Sequence, residues 1–178
     1  MHRLEHLING EWIAHSHEPV FETGKRLVAG ASGDKPSMFT RMVECMAPPY
    51  YLLYVLHTPR GEGAPGRYQS PAMPFSSLQD FVSRFSPFLS ADGRFDLWAH
   101  SPGGNATVVW DRHDLLFGYG PLEAFETSLR SLGYTPGQPV VPTPHQHHYR
   151  AEFDGLARDL LSTLDWERSP LKPSDEQA

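Results

Sequence analysis

Apolar and polar residues follow two different rhythms along this chain, and the switches between them mark its elements. Leu7-Ile8-Asn9-Gly10-Glu11-Trp12-Ile13 sets Asn-Gly between apolar pairs. Both central residues of a tight hairpin need positive φ, which Asn and Gly accept, so this stretch predicts two short antiparallel strands. Residues 20–28 repeat the pattern around Gly24. Asp34-Lys35-Pro36 opens a helix whose stripe is Met38, Met42 and Met46, with Phe39 and Val43 beside it, and Pro48-Pro49 closes it. Residues 50–56 are aromatic and aliphatic with almost no polar break, which predicts a central strand covered on both faces.

Residues 59–74 are rich in Gly and Pro and longer than an ordinary connection, so they read as a binding loop or a mobile segment. Ser76 and Gln79 form a capping box, after which Leu78, Phe81, Val82 and Phe85 line one helix face that ends near Pro87. A meander follows. Residues 94–100, 107–110 and 115–119 alternate as strands, joined by the turn signals Gly103-Gly104-Asn105 and Asp111-Arg112-His113-Asp114. Pro121 starts a helix carrying Leu122, Phe125, Leu129 and Leu132, with Gly133 just past its end. After a Pro-rich crossing, Thr143 is the expected cap of a last helix, with Pro144 at its first position and Gln146 completing the box. Phe153, Leu156, Ala157, Leu160, Leu161 and Leu164 form its apolar face. The expectation is an α+β domain over residues 1–168, a largely antiparallel or mixed sheet with about four packed helices, and a polar tail over residues 169–178.

Charge narrows the partners. Fifteen Lys and Arg against 21 Asp and Glu give a net charge of −6, which argues against a nucleic-acid surface and permits a protein partner with a basic face. The ten histidines bring that charge toward zero near pH 6, so such an attraction weakens on acidification. Cys45 is the single cysteine and, lying near a helix C-terminus, reads as an inert buried thiol. No apolar run is long enough to span a bilayer, and the first residues lack the apolar core of a secretory signal, so no membrane role and a cytoplasmic location are expected. The glycines at 30–33 and 118–120 do not continue into a phosphate-loop motif. Leu7-Ile8-Asn9-Gly10-Glu11-Trp12 resembles the N-terminal hairpin of aldehyde dehydrogenases. At 178 residues the chain is far too short for that fold, so the resemblance implies only the hairpin.

The candidate chemistry lies in three places. His145, His147 and His148 crowd the start of the last expected helix, where His145, His148 and Glu152 fall at i, i+3 and i+7, close to one face. Two expected strands end in His57-Thr58-Pro59 and His100-Ser101-Pro102, and as sheet neighbours they would bring His57 and His100 to that group, a ligand set for zinc or another borderline divalent ion. Asp111, Arg112 and His113 put a carboxylate, a guanidinium and an imidazole in one turn, the ingredients of acid–base work beside an anion site. The plainer reading is a polar hairpin tip with Asp111 making an Asx turn. Arg60, Arg67 and Tyr68 on the long loop are placed to clamp a carboxylate or anchor a protein. The leading expectation is a non-catalytic binding protein of immunity or regulatory type. The alternative is a small metal-dependent enzyme built on the histidines, with no cofactor implied beyond that ion.

Overall fold

The computed structural model describes residues 1–175. The chain opens with two hairpins, β1 (Leu4–Ile8) with β2 (Glu11–Ala14) and β3 (Val20–Thr23) with β4 (Leu27–Gly30). Helix α1 (Lys35–Val43) follows, then β5 (Tyr51–Leu56), β6 (Gly66–Gln69) and α2 (Phe75–Ala91). The meander is β7 (Phe95–Ser101), β8 (Ala106–Trp110) and β9 (Leu115–Tyr119). The chain then runs through α3 (Leu122–Ser131), β10 (Thr135–Pro136), β11 (His145–His147), α4 (Asp154–Thr163) and β12 (Glu167–Ser169). The fold is α+β.

Nine strands form one sheet in the order β10-β3-β4-β9-β8-β7-β5-β6-β12, antiparallel except for the pair β10 and β3. One face carries Leu27, Leu52, Tyr54, Leu97, Val108 and Leu116, and the helices pack over it to close the core. Alternation along the strands explains that selection, since successive side chains point to opposite faces. A separate small sheet, in the order β11-β1-β2, sits against the β8–β9 turn. Its β1–β2 turn has Asn9 at φ 52° and Gly10 at φ 84°, the paired positive angles the Asn-Gly signal predicts.

Several expectations are corrected. Helix α2 runs through Pro87 to Ala91, and no side chain caps its start, so the Ser76/Gln79 box does not form. Burial of Phe88 and Leu89 beyond the proline contributes about 2 kcal/mol each, which offsets the roughly 3 kcal/mol a mid-helix proline costs. The 59–74 stretch is not a free loop, because β6 inside it pairs with β5 on one side and β12 on the other. Residues 50–56 are covered fully on one face and partly on the other, where Val55 is buried but Tyr51 and Leu53 are half-buried. The expected tail folds back as far as it is described: β12 pairs with β6, and buried Asp175 takes a hydrogen bond from Arg67. The remainder of that tail lies outside the described residues.

The helix expected from Thr143 is absent at its start. His145–His147 is a strand, the next turn is a 3-10 turn over Ala151–Phe153, and only Asp154–Thr163 is α-helical. Pairing with β1 places Leu4 opposite His147 and His6 opposite His145. A partner more than a hundred residues away therefore overrides the local capping signals.

Candidate metal centre

The β8–β9 turn is built around Asp111. Its Oδ1 accepts from the backbone N–H of His113 (3.0 Å) and of Leu115 (2.8 Å), the Asx turn expected of this tip. The tip is not solvated, because Asp111 and Asp114 are both buried. Asp114 takes hydrogen bonds from Arg3 Nη1 (3.2 Å) and Trp110 Nε1 (3.1 Å), and it pairs with Lys35. The Arg3 guanidinium lies between the Phe95 and Trp110 rings and donates to the carbonyls of Asp92, Phe95 and Asp111. This network fixes the turn against the core and ties β1 to it.

The remaining Asp111 oxygen, Oδ2, accepts from His113 Nδ1 at 3.0 Å. That bond sets the tautomer of His113 and leaves its Nε2 with a free lone pair. Burial pushes the Asp111 carboxyl up, and the His113 hydrogen bond opposes it.

Strand β11 brings up two more imidazoles. His145 and His147 are two residues apart on a strand and so share the face that meets His113. The three ring centroids form a near-equilateral triangle, at 5.2 Å for His113–His145, 5.0 Å for His113–His147 and 5.4 Å for His145–His147. One ring nitrogen from each lies within 4.8 Å of the others. His145 Nδ1 donates to the Pro142 carbonyl (2.9 Å), which frees Nε2 in the same way as in His113. His147 Nδ1 is buried and has no hydrogen-bond partner. Burial, followed by the neighbouring His113, brings the His147 pKa down to about 3, so the ring is neutral at physiological pH. Gly93 admits this ring, since a Cβ there would stand 3.1 Å from His147 Cβ and 3.2 Å from its Nδ1.

More histidines line the same seam. His17 Nε2 meets the His113 carbonyl at 2.9 Å, and its Nδ1 lies 3.4 Å from His15 Nε2. His15 packs edge-on to His6 at 5.2 Å, and His6 stands opposite His145 in the β1–β11 register. Burial, then His17 and His6, hold the His15 pKa down at about 4. None of these three was singled out from sequence, although His15-x-His17 has the same two-residue spacing as His145-x-His147.

The other expected ligands go elsewhere. His57 Nε2 pairs with Asp96 Oδ2 at 2.9 Å, and His100 Nδ1 meets Thr107 Oγ1 at 2.9 Å. Tyr51 pairs with His100 and Leu56 with Phe95, so His57 and His100 stand at opposite ends of the β5–β7 pair, roughly 20 Å apart. They do not meet. His148 turns to Glu5 on the other side of β11, and Glu152 is exposed in the 3-10 turn. The Arg112 backbone N–H donates to Asp96 Oδ1 (2.8 Å). Arg60, Arg67 and Tyr68 form no common clamp. Arg60 pairs with Asp154, while Arg67 and Tyr68 are consecutive on β6 and face opposite ways. Arg67 holds Asp175 and lies over the Trp98 ring, whereas the Tyr68 hydroxyl is buried against the Ala64 carbonyl. Burial pushes the Cys45 thiol up, in keeping with an inert role.

Among the described residues no helix is long and apolar enough to cross a membrane. Comparison with protein-family models, curated proteins and solved structures found no match for this chain, so its chemistry rests on its own residues.

Proposed function

We propose that this protein binds a divalent transition ion through His113, His145 and His147. The observation that carries the reading is the triangle of partly buried imidazoles, two of them oriented through Nδ1 by Asp111 and by the Pro142 carbonyl. Zinc takes imidazole nitrogen at about 2.0–2.1 Å, so tetrahedral ligands stand roughly 3.4 Å apart, and small ring rotations close the triangle to that size. Three protein ligands leave a position for water or a substrate oxygen, the arrangement of catalytic rather than structural zinc. The ion supplies Lewis acidity there, and metal-assisted hydrolysis is the reaction class that fits. Zinc titration against a chromophoric chelator tests the reading. Wild-type protein should bind zinc, and His145→Ala or His147→Ala should lose this ion; unchanged binding in both variants rejects it.

A second reading, recognition of a protein partner, draws on the β1–β2 hairpin. Leu7, Ile8, Trp12 and Ile13 are all exposed there, beside Glu11, on a chain of net charge −6. A partner with an apolar patch and basic rim suits that surface. Trp12→Ser should weaken such a complex without touching zinc binding, and an unaffected complex counts against the hairpin. A cytoplasmic setting belongs to the same proposal, because a chain whose single cysteine is Cys45 forms no internal disulfide.

A further inference from the structure

We infer that a second cation site, made by His2, Glu5 and His148, lies on the opposite face of β11 from the first. Side chains alternate along a strand, so Gln146 leaves β11 on the side away from His145 and His147, and His148, just past the strand with its N–H on the Arg3 carbonyl, turns to the same Glu5. Register places Glu5 of β1 directly across from Gln146. The Glu5 carboxylate then meets an imidazole at each oxygen. His2 Nε2 lies 2.9 Å from Oε1, and His148 Nε2 lies 3.1 Å from Oε2.

One ligand atom from each of the three residues falls within 4.8 Å of the others. Two imidazoles and one carboxylate suit zinc and its neighbours among the borderline divalent ions. His148 Nε2 is buried, and its approach to Glu5 does not make a hydrogen bond, so this nitrogen has no hydrogen-bond partner. An ion between the rings and the carboxylate would coordinate its lone pair. Gln146 Nε2 donates to Glu5 Oε2 at 2.8 Å and steadies the carboxylate from outside the ligand set. Side-chain exposures of 30% for His2, 16% for Glu5 and 26% for His148 leave a path from solvent.

The test is zinc stoichiometry by competition with a chromophoric chelator, on wild type and on His2→Ala, Glu5→Gln, His148→Ala and His147→Ala. Circular dichroism confirms which variants are folded, and His2→Ala, near the exposed chain end, serves if Glu5→Gln does not fold. Two equivalents in wild type, falling to one in the His2, Glu5 or His148 variants and to one in His147→Ala, support the site. A single equivalent lost in His2→Ala and kept in His147→Ala also supports it, while rejecting the three-histidine centre. A single equivalent lost only in His147→Ala overturns the second site and leaves the first standing. No zinc bound by wild type overturns both.

Discussion

Replacing Asp111 with asparagine isolates what its carboxylate does for His113. The amide oxygen of asparagine still accepts from the backbone N–H groups of His113 and Leu115, so the Asx turn survives. What changes is the group facing His113 Nδ1, which is an acceptor at 3.0 Å in wild type. An amide NH₂ in that position favours the tautomer with the proton on Nε2 and so removes the lone pair offered to a metal. Loss of such an outer hydrogen bond costs about 10–100-fold in metal affinity, or about 1.4–2.7 kcal/mol. The metal-free protein should change little, because the substitution also removes a charge that burial disfavours. Thermal unfolding reads both quantities. With zinc at about 100 times the wild-type Kd, the first site adds roughly 2.7 kcal/mol, an upward shift of about 5–10 °C for a chain of this size. At the same zinc concentration the Asp111→Asn shift should shrink to about 1–5 °C. Zinc affinity within about twofold of wild type refutes the argument that Asp111 orients a ligand.

Other substitutions probe the frame around the site. Asp114→Ala leaves buried Arg3 and partly buried Lys35 without their carboxylate and should cost about 3–5 kcal/mol in urea unfolding; a loss under about 1 kcal/mol contradicts the network. Gly93→Ala forces a methyl against the His147 ring and should cost about 1–3 kcal/mol and weaken zinc binding, whereas Gly24→Ala, with open space around it, should do neither. Acid should destabilise the metal-free protein. His147 and His15 have folded pKa values of about 3 and about 4, below the unfolded value of 6.5, so the unfolded chain takes up protons first. Their contribution is complete above pH 6.5 and is lost as pH falls toward those folded values. By pH 5 that amounts to about 1 kcal/mol each after solvent screening, seen as a lower urea midpoint than at pH 7; an equal or higher midpoint contradicts it.

Local signals carried the parts of the fold that are local. The Asn9-Gly10 turn, the meander and the apolar faces of α1 and α3 follow from residues within one or two turns of each other. The failures share a cause, which is partners distant in sequence. Thr143, Pro144 and Gln146 satisfy every local rule for a helix start, yet β1 offers strand pairing there. Gly66–Gln69 is a poor strand by propensity and is held in place by β5 and β12 on either side. The site shows the same division. His145 and His147 are visible as metal-ligand types, and Asp111 and His113 only as members of a polar turn. Their convergence depends on β11 crossing to the β8–β9 tip, which no spacing encodes. His57 and His100 looked equivalent to them because both end strands, and only the antiparallel β5–β7 register separates them.

The most direct test of the central claim is a crystal structure of the zinc-loaded protein with anomalous data at the zinc edge. A peak inside the His113, His145 and His147 triangle, about 2.0–2.1 Å from one nitrogen of each ring, is the predicted result. A zinc-loaded crystal with no peak there, or with those three rings still turned away from a common ion, contradicts it.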